Sequence, residues 1–211
     1  MPPLFDAAFR ATFKELVLWR RDVRRFRHHP VERAQVDALI ALAAHAPSVG
    51  FSQPWRFVHV VSPQRRAAVA ASFAEANART LDDYAEERQR LYARLKLEGL
   101  KEAPIHLAVF ADEKTGTGHG LGRQSMPETL RYSVVAAIQT LWLAARAEGL
   151  GVGWISILDP IAVKRALDVP MTWTLVAYLC IGWPSEEHLD SELERHQWEA
   201  RMMPEDITFT R

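Results

Sequence analysis

Residues 130–150 restrict the possible folds of this chain more than any other segment. Apolar side chains occur on almost every side of a helical projection of this segment, among them Val134, Ile138 and Leu141. A helix that is hydrophobic all round is stable in water only when other elements surround it. We therefore predict a buried central helix, and Gly149 suits the left-handed conformation that commonly ends such a helix.

Four shorter apolar segments predict strands that pack around this helix. They cover residues 56–61, 105–111, 152–158 and 174–181. An amphipathic N-terminal helix, with Phe5 and Val17 on its apolar face, and a second helix that starts at Pro30 are also predicted. Ser62 and Pro63 provide the N-cap and the first position of a further helix. The sequence thus predicts an α+β fold with helices around a central sheet.

The composition indicates one domain of the size of a small enzyme and does not favour binding to nucleic acid or to an anionic membrane. The chain has 211 residues, 48% of them hydrophobic, and no linker or repeat, so we expect a single domain over residues 1–211. The 26 basic residues balance the 26 acidic ones, which argues against general attraction to nucleic acid or to an anionic membrane. Cys180 is the only cysteine and the N-terminus lacks a signal-peptide pattern, so we expect a cytoplasmic location.

Three arginines cluster in residues 20–24, Arg-Arg-Asp-Val-Arg, between the first two predicted helices. Guanidinium groups bind phosphate oxygens through paired, charge-assisted hydrogen bonds, so Arg20, Arg21 and Arg24 suit a phosphate. Asp22 would repel a phosphate and is therefore expected to face a hydroxyl or a reacting proton. Such a cluster alone is also typical of a solvated charged surface, so the interpretation depends on a second element.

The second element spans residues 46–57 and contains Pro-Ser and Gln-Pro-Trp-Arg-Phe. Together, the two elements resemble those that hold FMN in the nitroreductase-like flavoproteins. The resemblance extends from about Phe13 to Trp183 and implies a mostly antiparallel central sheet surrounded by helices. The aspartate among the arginines, residues 97–100 (Leu-Glu-Gly-Leu) and residues 127–133 resemble in particular a subgroup of this family that consumes its flavin.

The resemblance implies a set of flavin-binding and catalytic residues. The flavin-binding residues would be Arg20, Arg21, Asp22, Val23, Arg24, Ser48, Leu97 and Ile155. Asp22, assisted by Ser156, would act as the catalytic base. From spacing alone, a small buried strand residue is the better interpretation of Ser156. Phe51 stands where many nitroreductases carry asparagine, which argues against an ordinary nitroreductase.

Residues 75–102 form a strongly charged segment with helical periodicity. The pattern alone favours an ordinary amphipathic helix packed on the domain or on a partner. The family resemblance implies instead a lid that closes over the flavin and excludes bulk water and bulky electron donors. In that hypothesis, Leu97 approaches the FMN through its backbone or through apolar contact.

The subgroup uses reduced FMN both as its bound flavin and as its substrate. The implied reaction uses molecular oxygen to fragment reduced FMN into 5,6-dimethylbenzimidazole and D-erythrose 4-phosphate, and a separate flavin reductase would supply the reduced FMN. A homodimer is also implied, with each flavin site built from both chains and with residues 130–150 and 186–211 as candidate contacts. Two alternatives stay open: an NAD(P)H-dependent nitroreductase or quinone reductase that keeps its FMN intact, and a non-catalytic flavin carrier.

Other patterns carry less functional weight. Residues 116–122 are rich in glycine but lack the spacing of a dinucleotide-binding loop, and they predict a flexible surface loop. His28 and His29 are adjacent, a geometry that does not direct both side chains to one ion, so no metal site is predicted. No serine lies in a Gly-x-Ser-x-Gly elbow, which argues against an esterase.

Overall fold

The sheet has four strands in the computed structural model, which describes residues 3–211. The strands are β1 (Trp55–His59), β2 (Ile105–Asp112), β3 (Gly151–Ile155) and β4 (Trp173–Gly182). Their order in the sheet is β1-β2-β4-β3, so β1 and β3 form the edges. All three pairings are antiparallel, which confirms the predicted fold class. β3 is shorter than predicted, because the Leu158 amide turns back to the Ser156 carbonyl at 3.0 Å.

Eight α-helices within residues 3–211 surround this sheet. They are α1 (Ala7–Trp19), α2 (Arg33–Ala43), α3 (Pro63–Asp82), α4 (Glu86–Tyr92), α5 (Thr129–Ala147), α6 (Pro160–Leu167), α7 (Glu192–Arg195) and α8 (Pro204–Ile207). Two short 3-10 turns, Val49–Phe51 and Thr117–Gly120, lie between them. No helix in this part of the chain has the length and apolar character needed to cross a membrane.

Helix α5 is the central helix that the sequence predicts. Eight of its side chains are buried, and Val134, Ile138 and Leu141 have no exposed surface. α5 and α2 share one hydrophobic core with one face of the sheet. α3, α6 and the chain that follows α4 form a second core on the opposite face. Gly149, just after α5, has a φ of 77°, so the predicted left-handed end of this helix is confirmed.

The N-terminal region contains both predicted helices, although α2 starts later than predicted and α1 is exposed. α2 begins at Arg33 and not at Pro30, because Glu32 and Gln35 form a capping box in which the Glu32 amide donates to the Gln35 side chain at 3.2 Å. α1 forms as expected, but none of its side chains is buried. Five of its large apolar side chains are between 39% and 47% exposed: Phe9, Phe13, Val17, Leu18 and Trp19.

Residues 75–102, which we call the lid segment, are not one continuous helix. Residues 75–82 complete α3, α4 follows, and irregular chain leads on to β2. α3 ends where the Asp83 amide donates to the Arg79 carbonyl at 3.3 Å. Tyr92 and Leu100 are buried, so the lid segment is anchored on the domain at its centre and near its C-terminal end.

Candidate functional site

The arginine cluster, residues 20–24, runs along the free edge of β3. Asp22 pairs with Val152 in a parallel bridge, and the Val23 amide donates to the Val152 carbonyl at 3.0 Å. Gly153 permits this close approach, because a Cβ atom there would collide with the Val23 carbonyl oxygen. The sequence prediction missed this pairing, since no local pattern marks the cluster as an extension of the sheet.

Asp22 is held at this edge by two donors. One carboxylate oxygen accepts a hydrogen bond from the Trp154 amide at 2.8 Å, and the other lies 3.1 Å from both Nε and Nη2 of Arg24. Burial raises the pKa of the Asp22 carboxyl above its ordinary value, although Arg24 and the Trp154 amide oppose this shift. The side chain is still 32% exposed. A fixed carboxylate that is more basic than usual and open to a ligand is a candidate proton acceptor.

Arg24 connects Asp22 to the lid segment. Its guanidinium group donates to the Lys96 carbonyl at 2.9 Å, and only 12% of the Arg24 side chain is exposed. Lys96 is itself fixed by an ion pair with Glu102 at 2.7 Å. Arg24 therefore fixes the backbone at Lys96, the residue that directly precedes the predicted flavin contact Leu97. The structure thus brings Asp22, Arg24 and the lid segment together.

Arg20 and Arg21 line a cleft between the arginine cluster, α5 and residues 184–195. Arg20 lies over the Trp142 ring, 4.9 Å from its centroid, and Arg21 donates to the Leu189 carbonyl at 2.9 Å. Burial, followed by the neighbouring cations Arg20 and Arg201, lowers the pKa of the Arg21 guanidinium group. The three predicted arginines do not converge on one point. The sequence prediction missed Arg201 and Trp142, because only the path of the C-terminal tail, residues 186–211, and the packing of α5 bring them here.

Ile155 and Ser156 lie at the end of β3, close along the chain to the backbone that holds Asp22. Ile155 is 3% exposed and pairs with Tyr178 on β4. Ser156 is exposed and follows Trp154, the donor to Asp22, by two residues. The interpretation of Ser156 as a small buried strand residue is therefore wrong. Its hydroxyl is open to a ligand at the same edge of the sheet.

Ser48 lies at the other end of α5 from the arginine cluster. The amide next to it, that of Val49, donates to the Ser133 hydroxyl at 3.0 Å, whereas Trp142 donates to the Arg21 carbonyl at 3.1 Å. Ser133 and Trp142 are separated by about 14 Å along the axis of a regular helix. One chain therefore does not bring Ser48 next to Asp22 and Arg24.

The turn that carries Ser48 is shaped by unusual backbone angles. Gly50, Phe51 and Gln53 have positive φ values of 55°, 55° and 44°. A Cβ atom at Gly118 would collide with the Gly50 carbonyl oxygen, so residues 116–122 fit closely against this turn instead of forming a free surface loop. Phe51 is 75% exposed at the tip of the turn, available to a ligand or to a second chain.

The chain belongs to the Nitroreductase family, whose model matches residues 17–183. This range includes the arginine cluster, the second element, the lid segment and all four strands. The predicted family is therefore confirmed.

Two curated relatives are similar to nearly the whole chain, and one solved structure shares its fold. The chain is 60% identical over 199 residues to the 5,6-dimethylbenzimidazole synthase of Rhodospirillum rubrum, with 94% of each chain covered. It is 48% identical to a 5,6-dimethylbenzimidazole synthase of Rhodobacter capsulatus, over 95% of this chain and 97% of the relative. The crystal structure of oxidized iodotyrosine deiodinase bound to FMN and 3-iodo-L-tyrosine has the same fold, with a TM-score of 0.71 at 24% identity over 83% of this chain and 91% of the other.

We expect carbon-13 NMR of the carboxyl groups to show Asp22 titrating above the ordinary range of aspartate, because burial penalises its charged form. Arg24→Ala should raise that pKa further, since Arg24 is the largest of the influences that lower it. Asp159 serves as the control in the same spectra, because two amides at the start of α6 lower its pKa. An Asp22 signal that titrates below ordinary aspartate would contradict this description of the site.

Proposed function

We propose that this chain is an aerobic 5,6-dimethylbenzimidazole synthase, which uses molecular oxygen to fragment reduced FMN into 5,6-dimethylbenzimidazole, D-erythrose 4-phosphate and an oxidised fragment that contains the remaining pyrimidine part of the flavin ring. Curated relatives that are 44% to 60% identical over nearly the whole chain are synthases of this name. The structural observation that carries the proposal is the position of Asp22. Its carboxylate is fixed between the Trp154 amide and Arg24, next to the lid segment.

The predicted flavin-binding residues have the chemistry that FMN binding requires. Arg20 and Arg21 supply guanidinium donors for a phosphate at the cleft, where Glu194 and Asp190 partly balance their charge. Gly153 lets the arginine cluster lie against the edge of β3, which places Asp22 beside the backbone that leads to Ile155 and Ser156. Ser48 accepts a hydrogen bond from the Gln53 amide at 3.1 Å, and its own hydroxyl hydrogen stays available for a flavin acceptor.

In the proposed reaction, reduced FMN supplies the electrons for oxygen and the ribityl chain whose first carbon–carbon bond is cut. Asp22 would accept a proton from a ribityl hydroxyl, because its raised pKa makes the carboxylate more basic than an ordinary aspartate. Ser156 would hold that hydroxyl in line by a hydrogen bond. The lid segment, attached to Arg24 through the Lys96 carbonyl, would exclude bulk water from the site.

The supply of reduced flavin is assigned to another protein. Arg24 holds the lid segment beside Asp22, and in the proposed site a closed lid segment would exclude a bulky electron donor such as a nicotinamide. We therefore propose that a separate flavin reductase provides reduced FMN, and that both proteins work in the cytoplasm, where the absence of an intrachain disulfide is usual.

Incubation of the purified chain with reduced FMN in air distinguishes the candidate functions. We expect 5,6-dimethylbenzimidazole to form in proportion to the FMN that is lost, as measured by liquid chromatography with mass spectrometry. Sustained oxidation of NADPH with recovery of intact FMN would identify a reductase instead. FMN binding without either product would identify a carrier, and both of these results would reject the synthase.

Substitutions at the site should separate binding from chemistry. Asp22→Asn keeps size and hydrogen-bonding capacity but removes the base, so FMN should still bind while product formation falls by about a hundredfold or more. Arg24→Ala removes a cationic donor and should weaken FMN binding itself. Ser156→Ala should bind FMN and slow the reaction less than Asp22→Asn does.

These variants are compared by anaerobic titration with oxidised and reduced FMN, followed by product analysis after oxygen is admitted. A parental rate in Asp22→Asn would show that Asp22 is not the base. A loss of FMN binding in the same variant would assign Asp22 to binding instead of catalysis.

We further propose that the chain forms a homodimer whose two flavin sites combine residues of both chains. Ser48 and the arginine cluster lie at opposite ends of α5 in one chain, so a single flavin would contact both only if Ser48 came from the partner. α5 is largely enclosed in its own core, and only its outer side, including Tyr132 and Val135, is free for a partner. α1 and the tail add exposed apolar residues, with Phe13 at 47% and Met202 at 63%.

Mixed dimers test this arrangement directly. One chain carries Asp22→Asn and the other carries Ser48→Tyr, whose bulk blocks the flavin position. If each site takes Asp22 from one chain and Ser48 from the other, half of the sites in the mixed dimer are intact, and synthase activity returns from two inactive parents. Activity that stays at the level of the parents, or light scattering that gives the 23.9 kDa mass of one chain with FMN bound, would contradict the shared site.

A further inference from the structure

A tryptophan of the tail packs against the lid segment. The Trp198 ring meets the Tyr84 ring edge to face, with centroids 5.5 Å apart and planes at 79°, and it meets the Tyr92 ring at 6.1 Å and 60°. The two tyrosine rings lie 5.3 Å from each other. Aromatic pairs of this geometry stabilise a contact beyond the area that they bury. Trp198 therefore contacts the lid segment both just before α4 and at the end of α4.

Arg88, within α4, holds the same tryptophan in two ways. Its guanidinium carbon lies 5.0 Å from the centroid of the Trp198 ring, which is a cation–π arrangement. Its Nη1 atom donates to the Trp198 carbonyl at 2.8 Å. Three residues of the lid segment thus hold one residue of the tail, by its ring and by its backbone. We call Trp198, Tyr84, Arg88 and Tyr92 the clasp.

The backbone just before Trp198 has a left-handed turn. Gln197 has a φ of 57°. Its amide donates to the Glu194 carbonyl at 3.0 Å, and the Trp198 amide donates to the Leu193 carbonyl at 2.8 Å, a pattern that often ends a helix. Glycine is the usual residue at such a position, because a Cβ atom makes the conformation unfavourable. The contacts of Trp198 with the lid segment give a physical reason for this turn in the tail.

Both sides of the clasp are attached to the rest of the domain. On the tail, Glu192 forms an ion pair at 2.9 Å with Arg25, the residue that follows the arginine cluster, and only 8% of the Glu192 side chain is exposed. On the lid segment, the Tyr92 hydroxyl donates to the Asn77 side chain on α3 at 2.7 Å. The tail thus connects the end of the arginine cluster to α4.

The clasp adds a second attachment of the lid segment to the one that Arg24 makes at the Lys96 carbonyl. Tyr92 is the only buried residue of α4, so this helix has little other anchorage in the hydrophobic core. Tyr92 also lines, with Lys96 and Leu97, a cavity between α3 and the lid segment. A movement of Tyr92 would therefore change the shape of the space next to Leu97, the predicted flavin contact.

We propose that Trp198 is a positioning residue, which clasps α4 and so keeps the lid segment closed over the site. In this role Trp198 does not touch the reacting atoms. It determines how much reduced FMN is converted to product and how much is oxidised by oxygen to FMN and hydrogen peroxide when the lid segment opens. The effect on product yield rests on the proposed function, whereas the effect on the lid segment does not.

Hydrogen exchange tests the clasp without the reaction. In Trp198→Ala we expect amide exchange in residues 84–97 to be faster by about tenfold or more, with α5 at the parental rate. Trp198→Phe keeps an aromatic ring for the two tyrosines and should stay within about threefold of the parent. Phe209→Ala removes an exposed aromatic ring from the same tail outside the clasp, so this matched control should leave residues 84–97 unchanged.

Three results of this experiment would overturn the proposal. They are parental exchange of residues 84–97 in Trp198→Ala, equal acceleration in Phe209→Ala, and acceleration in α5 as large as that in the lid segment. If Trp198→Ala does not fold, Arg88→Ala removes the cation and the donor from the other side of the clasp. It should accelerate exchange in residues 84–97 after correction for intrinsic rates, and parental exchange there would equally overturn the proposal.

The reaction provides the second readout. With reduced FMN and oxygen, Trp198→Ala should lower the ratio of 5,6-dimethylbenzimidazole to hydrogen peroxide severalfold, and Trp198→Phe should restore most of that ratio. An unchanged ratio in a Trp198→Ala protein whose lid segment exchanges faster would overturn the effect on product yield. A parent that makes no benzimidazole would reject the proposed function, while the exchange experiment would still decide whether Trp198 clasps the lid segment.

Discussion

The pairing of the arginine cluster with the edge of β3 is the interaction on which the rest of the site depends. Residues 20–24 follow an exposed helix, and the Val23 amide attaches them to the sheet by donating to the Val152 carbonyl. The pairing needs a residue without a side chain at position 153, since any Cβ there would meet the Val23 carbonyl. Once it forms, the alternation of an extended chain separates neighbouring side chains. The Asp22 carboxylate can then accept a hydrogen bond from the Trp154 amide, while the Arg21 side chain donates to the Leu189 carbonyl in the tail.

Arg24 links the chemistry of Asp22 to the position of the lid segment. It opposes the effect of burial on the pKa of Asp22 and at the same time holds the Lys96 carbonyl. A movement of the lid segment that released Arg24 would change the charge environment of the carboxylate. The position of the lid segment and the basicity of the Asp22 carboxylate are therefore connected through the Arg24 guanidinium group. This gives a physical reason for an arginine here, because lysine could not present several donors in a fixed plane to both partners.

The sequence was sufficient for features that local pattern or a familiar motif determines. The central helix, all four strands and the left-handed glycine at position 149 were predicted, because periodicity and glycine conformation act within a few residues. The family was predicted from residues 20–24 and 46–57. The parts that were missed depend on distant segments. Neither the strand-like pairing of Asp22 with Val152 nor the arrival of Arg201 near Arg21 has a local signal.

The two amphipathic segments of the sequence have different outcomes. α1 forms as predicted, but the core is filled by α5 and α2, so its apolar face stays exposed. The pattern of the lid segment predicts a helix, but α3 closes at Asp83. Ser48 could be assigned to the site from its motif. Its distance from the arginine cluster depends on the length of α5, which a motif does not encode.

Specific isotope labelling of the ribityl chain tests the central claim, that this chain cuts reduced FMN between the first and second ribityl carbons. FMN with carbon-13 at the first ribityl carbon is reduced, incubated with the protein and oxygen, and analysed by mass spectrometry. The account predicts that the label is found in 5,6-dimethylbenzimidazole, and that a label at the second carbon is found in D-erythrose 4-phosphate. Recovery of both labels in intact FMN, or of the first label in the sugar phosphate, would contradict it.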